Sequence, residues 1–91
     1  MESPEIRLKR LTMRSWRRGM KEMDLILGPF ADRGLSALDA AALEAYESLL
    51  EENDQDLYRW VSGAARIPPV HADIVAIIAG FHGIRRQASP N

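Results

Sequence analysis

"SWRRGMKEMDLILGPFAD", residues 15–32, decides the fold because a single glycine separates two helical patterns of different quality. After Gly19, apolar residues recur at Met20, Met23, Leu27 and Phe30. Those steps of three and four place one stripe on a helix running from about Met20 to Asp32. Before Gly19, Ile6, Leu8, Leu11 and Trp16 give a more ragged apolar side, with Ser3 as N-cap and Pro4 at the first helical position. Glycine costs about 1 kcal/mol relative to alanine inside a helix. Gly19 is therefore read as the end of the first helix or as a point where another backbone comes close.

Downstream, "DRGLSALD" is a connection, and Ser36 with Asp39 resembles a capping box that opens a third helix. Its inner side is Leu38, Ala42, Leu43, Tyr46, Leu49 and Leu50, and its outer side is acidic. Asn53 or Asp54 caps a short fourth helix, where Asp56 complements the positive end of the helix dipole and Leu57, Trp60 and Val61 face inward. Ser62-Gly63 stops it, and the prolines of "IPPV" break the chain again. Ile74, Ile77, Ile78 and Phe81 then predict a fifth helix, since no partner strand exists for their β-branched side chains. The reading is all-α: a small bundle of about five short helices, one domain over residues 1–91, compact over about 5–83 and ending in a polar tail at 85–91.

Composition narrows the function. With 46% hydrophobic and 27% charged residues the chain is ordinary for a globular domain, and without cysteine it has no disulfide, thiolate zinc site or cysteine nucleophile. No apolar run approaches the roughly 20 residues of a membrane span, and "MESPEIRLKRLTMR" does not read as a secretory signal, so a cytoplasmic protein without membrane insertion is expected. His71 and His82 stand eleven residues apart, neither with a carboxylate or second histidine at helical ligand spacing. No metal site is expected. His71 is read into the start of the fifth helix and His82 near its C-terminal end. Glu51, Glu52, Asp54 and Asp56 lack the glycine turn and terminal glutamate of a calcium loop. Phosphate-binding glycine motifs and the nucleophile elbow are absent, and no catalytic residue is assigned.

Charge is uneven along a chain whose net charge is only −1. Up to Lys21 there are seven basic residues against two acidic ones, whereas residues 39–56 hold seven acidic residues and no basic one. Arg7, Arg10, Arg14, Arg17 and Arg18 could follow a helix face and meet phosphates, which makes a small nucleic-acid-binding or generic protein-interaction domain the alternative reading. A pI of about 6.1 argues against nucleic acid, and only Trp16 could stack. Arg18 and Glu22 are four apart, so a continuous helix would pair them for a few tenths of a kcal/mol. Gly19 between them favours a junction instead, with exposed backbone bordered by two outward-pointing charges.

"RRGMKEMD" resembles the R-G-x-x-E signature of the succinate dehydrogenase assembly factor family. "NDQDLYRWVSG" is similar to that family's D-x-D-L-x-x-W segment through Asp54, Asp56, Leu57 and Trp60. Phe30, the "IPP" breaker and the final apolar helix agree in order, so the resemblance covers roughly residues 7 to 83. Trp16 is not a fixed feature of the family, and Gln55 replaces a frequent proline. The resemblance implies a five-helix fold and a chaperone, not an enzyme, that promotes covalent FAD attachment to the flavoprotein subunit of succinate dehydrogenase, and sometimes of fumarate reductase in bacteria. FAD would be the client's cofactor and not this chain's own. The compartment implied is the bacterial cytoplasm or the mitochondrial matrix. Carried onto this chain, the partner-binding residues are Arg18, Gly19 and Glu22. Asp24 orients an arginine or touches the partner, Arg14 and Arg17 add steering, and Asp54 and Asp56 are either helix caps or secondary contacts.

Overall fold

A computed structural model describes residues 2–84; the predicted tail at 85–91 lies outside the described residues. Five α-helices follow one another: α1 (Pro4–Trp16), α2 (Lys21–Gly34), α3 (Ala40–Leu49), α4 (Asp54–Ser62) and α5 (Ala72–Phe81). Short 3-10 turns at Leu35–Ala37 and Pro69–His71 lead into α3 and α5. No strand occurs among the described residues, and no helix is long and apolar enough to cross a membrane.

Local chemistry accounts for most boundaries. The Ser3 hydroxyl accepts a hydrogen bond from the Ile6 N–H at 3.2 Å, and Pro4 occupies the first turn where its missing N–H is not needed. α1 ends at Trp16, three residues ahead of Gly19, so the break is the whole segment Arg17–Met20 and not the glycine alone. Asn53 caps α4 by accepting from the Asp56 N–H at 2.9 Å. Gly63 ends it with φ at 87°, a left-handed conformation that costs a side-chain-bearing residue about 1 kcal/mol or more, and the Ala64 N–H closes back onto the Arg59 carbonyl.

Two expectations need correction. Ser36 does not open α3: it is exposed within the 3-10 turn, and Asp39 is the cap, accepting from the Ala42 N–H at 2.8 Å. The connection stays tight because Leu35 is buried, drawing the turn onto the core before α3 can begin. α5 also faces inward on a different arc. Ile74, Val75, Ile78 and Ala79 are buried, whereas Ile77 is 41% exposed. At 100° per residue the buried four span an arc that leaves residue 77 outside it. Phe81 is half covered, edge-on to Phe30 at 5.4 Å with the Arg33 guanidinium 5.2 Å from its ring centroid.

The core is one cluster contributed by all five helices, centred on Leu11, Met23, Leu27, Phe30, Tyr46, Leu49, Leu57, Val61, Ile74 and Ile78. Leu57, Trp60 and Val61 all lie on the buried side of α4, as the sequence predicts. α1 packs along α2 at a close approach. Gly28 lies directly under the Trp16 indole, where an added Cβ would overlap the ring, and the indole N–H donates to both carboxylate oxygens of Asp32 at 3.2 Å. One buried polar pair crosses the core: the Ser15 hydroxyl donates to the Leu11 carbonyl at 2.7 Å and meets the Tyr46 hydroxyl at 2.6 Å.

Candidate functional site

The Arg17–Met20 segment sits where α1, α2 and the α3–α4 junction converge, and carboxylates from two helices hold it there. Asp24, in the first turn of α2, accepts from the Arg18 backbone N–H at 2.7 Å. Asp54, the first residue of α4, accepts from the Met20 N–H at 3.0 Å and from Arg18 Nε at 2.7 Å. Met20 caps α2 without any side-chain bond of its own, and the two carboxylates instead fix the backbone that leads into the helix, at Arg18 and Met20.

Arg18 runs inward. Beyond Asp54, its Nη1 donates to the Leu50 carbonyl at 2.7 Å and its Nη2 to the Glu52 carbonyl at 2.6 Å. Its side chain is 12% exposed and that of Asp54 13%, so this ion pair is largely withdrawn from water. The guanidinium satisfies carbonyls that the end of α3 leaves without helical partners. No Arg18–Glu22 ion pair forms. The reading of two outward charges holds for Glu22, which is exposed, and is corrected for Arg18, because three acceptors on the α3–α4 junction outcompete one carboxylate in water.

Gly19 forms the crest of this anchored segment and is exposed. Its φ is not in the left-handed region, and a Cβ built there would find only Asp54 Oδ2, at an ordinary contact distance of 3.6 Å. Nothing inside the molecule requires a glycine at this position, in contrast to Gly28 beneath Trp16. Arg17 and Glu22, on either side, are exposed.

The other predicted residues fall nearby with different duties. Arg14 donates to Glu51 at 3.0 Å, and a longer 3.4 Å bond reaches the Leu50 carbonyl. Asp56 is a helix-cap residue: Arg59 and Asn53 hydrogen-bond its carboxylate and hold it below the usual carboxylate range. His71 is buried, with Nε2 2.8 Å from Glu52 Oε2, its ring 5.5 Å from Trp60, and Nδ1 without a partner. His82 donates from Nε2 to the Ile26 carbonyl at 2.6 Å. Among the described residues no group of three or more His, Cys, Asp or Glu side chains is placed to hold a metal.

Sequence reasoning missed the Arg18–Asp54 anchor and the Glu52–His71 contact. They join residues 36 and 19 positions apart, beyond the reach of any helical spacing rule. The sole signal was compositional: acids gathered at residues 51–56 opposite a basic first helix.

A family of proteins described as the flavinator of succinate dehydrogenase matches residues 9–82 of this chain. The chain belongs to that family. The matched span takes in the anchored Gly19 segment, Asp24 and Asp54, so the site described above lies inside the family's homologous region. Within the flavinator family, the FAD assembly factor SdhE of Aliivibrio fischeri is 43% identical over 60 residues, 65% of this chain and 70% of the relative. The mitochondrial succinate dehydrogenase assembly factor 2 of Debaryomyces hansenii is 38% identical over 69 residues, covering 76% of this chain and 49% of the relative. That of Komagataella phaffii is 36% identical over 69 residues, covering 36% of the relative. The matched part of the chain thus spans half or less of the length of these mitochondrial relatives.

Proposed function

We propose that this flavinator-family chain is an assembly factor that promotes covalent attachment of FAD to the flavoprotein subunit of succinate dehydrogenase, docking through the surface at Arg18, Gly19 and Glu22. The observation that carries the reading is Gly19: an exposed glycine on a segment fixed by Asp24 and Asp54, at a place where the chain's own packing leaves room for a side chain. The bare backbone answers to something outside the molecule. A rigid crest binds with little loss of conformational freedom.

Roles divide accordingly. Gly19 lets the client approach the backbone, and Glu22 and Arg17 supply charge at the rim. Arg18 and Asp54 act as positioning residues that hold the crest from beneath. Asp24 orients Arg18 through its backbone. The chain contributes no catalytic group on this reading. It stabilises an attachment-competent arrangement of the flavoprotein, in which the client's own residues form the bond to its FAD. FAD belongs to the client, and fumarate reductase is a second client where the bacterium makes one. The setting is the compartment that holds the flavoprotein, the cytoplasm of a bacterium or the mitochondrial matrix.

Deletion of the gene, followed by in-gel flavin fluorescence of the large dehydrogenase subunit, tests the function. Fluorescence should fall sharply and return with the wild-type chain; undiminished fluorescence would refute the reading. Complementation with Gly19→Arg and Glu22→Ala tests the site, with circular dichroism to confirm that both remain helical. Neither substitution should restore full flavinylation.

A further inference from the structure

The groove beside the Gly19 crest continues along α1, and its residues divide into two kinds. It encloses about 860 Å³ and is lined by Ile6, Met13, Asn53, Asp54 and five cations, among other groups. Three of the cations are already engaged. Arg10 pairs with Glu2 and Glu47 at 2.7 Å each, Arg14 with Glu51 at 3.0 Å, and Arg18 with Asp54 at 2.7 Å. Lys9 and Arg17 have no acidic partner among the described residues. Between them lies Met13, 53% exposed, with Ile6, 57% exposed, one turn before Lys9. Ile6, Lys9 and Met13 follow at steps of three and four on the outer face of α1, and Arg17, the residue that caps its C-terminal end, stands four positions further on.

This line pairs two unneutralised charges with an apolar middle. Lys9 and Arg17 are eight residues apart, about 12 Å along a helix axis, too far for one phosphate or carboxylate to bridge. A ligand that satisfies both needs two separated negative charges with an apolar group between them. A solvated helix face has no use for a methionine more than half exposed between its cations and an isoleucine more than half exposed at its end, whereas an interface core does. We infer that the Ile6–Lys9–Met13–Arg17 strip is a second docking surface, and that it takes an acidic segment of the flavoprotein client whose apolar side chain covers Met13 while carboxylates on either side meet Lys9 and Arg17. The inference rests on the proposed function for the identity of the client. Because the strip and the crest share one groove, a single client can cover both.

The test is binding of the full chain to the apo flavoprotein subunit of the same organism, at low and near-physiological salt. Four forms are compared: wild type, Met13→Asp, the double variant Lys9→Glu/Arg17→Glu, and Gly19→Arg. Met13→Asp and the double variant should each weaken binding about tenfold or more, and the double variant should also flatten the salt dependence of the association rate. A benzophenone photocrosslinker at position 13 should attach to a client segment containing acidic residues. If Gly19→Arg abolishes binding while both strip variants bind as wild type, the strip is not a docking surface and Arg17 loses its role at the rim, while docking of the flavoprotein at the Gly19 crest stands. If wild type does not bind the flavoprotein at all, both fall. Phosphatidylglycerol vesicles and a single-stranded oligonucleotide serve as competing probes. Wild-type binding to either that is lost in the double variant, with flavoprotein affinity unchanged, assigns the strip to a membrane or to nucleic acid and overturns the inference. Circular dichroism of the exposed-site variants separates misfolding from lost contact.

Discussion

At the scale of the residue, the decisive side chain is Arg18, and its place explains why charge lines the break between α1 and α2. Removing it leaves the Asp54 carboxylate and two carbonyls partly buried without their donor, which costs about 2–3 kcal/mol. Arg18→Ala and Asp54→Ala should each lower the urea midpoint by that order, and the double variant by much less than their sum. Arg18→Lys should not rescue, because an ammonium cannot spread donors toward three diverging acceptors as a guanidinium does. Gly19→Arg should by contrast leave stability within about 1 kcal/mol of wild type, since its Cβ meets nothing closer than 3.6 Å. A large loss of stability in that variant would show that the glycine serves the fold. Tyr46 supplies a pH dependence of its own. Burial, opposed in part by its Ser15 hydrogen bond, pushes its hydroxyl up to about 12. A tyrosine in the unfolded chain ionises near about 10. Its contribution is therefore whole below about pH 10 and is lost as pH rises toward 12. Chemical denaturation followed over that range should show the decline, and Tyr46→Phe should flatten it.

At the scale of the element, boundaries set by local bonds were legible and those set by distant ones were not. Ser3, Asn53 and Gly63 bound their helices through groups within five residues, so residue type alone located them. Asn53→Ala should cost about 1 kcal/mol in thermal or urea denaturation. The apolar period placed the start of α2 at about Met20, one residue from where it begins, but what holds that start was not legible, because the Met20 N–H bonds to Asp54, 34 residues away. The α1–α2 contact carries a similar non-local condition. Gly28 lies inside a helix, where alanine is normally better, yet Gly28→Ala would drive a methyl into the Trp16 ring. It should destabilise by about 1–3 kcal/mol in the wild-type background and by much less alongside Trp16→Ala, a coupling that a double-mutant cycle reads directly. The inward face of α5 shows the same limit. Helical spacing selected Ile77 and Phe81 along with Ile74 and Ile78, whereas the arc that meets α2, α3 and α4 takes Val75 and Ala79 with Ile74 and Ile78.

At the scale of the whole molecule, the charge asymmetry of the sequence is mostly an internal matter. Arg7 and Arg10 clasp Glu47 of α3 at 2.9 and 2.7 Å, and Arg14 meets Glu51 at its end. The basic first helix is therefore fastened to the acidic third, which removes most of the cations that a nucleic-acid reading needs and leaves Lys9 and Arg17 to face outward. The hydrogen bonds from Arg10 and Arg7 hold the Glu47 carboxyl below the usual carboxylate range. A depressed carboxyl stabilises the fold above its unfolded value, near pH 4, and loses that contribution as pH falls through its lower folded value. Glu47→Gln should accordingly narrow the stability difference between pH 7 and pH 3, measured by urea denaturation at each. The amino-acid sequence by itself determined the helical class, the break at Gly19, most caps and the candidate residues, because helix periodicity and capping act over three or four positions. Only the tertiary structure decided which charges remain available to a partner. That choice depends on contacts such as Arg18 with Asp54 and Arg10 with Glu47, whose members are 36 and 37 residues apart and meet only once the hydrophobic core has brought their helices together.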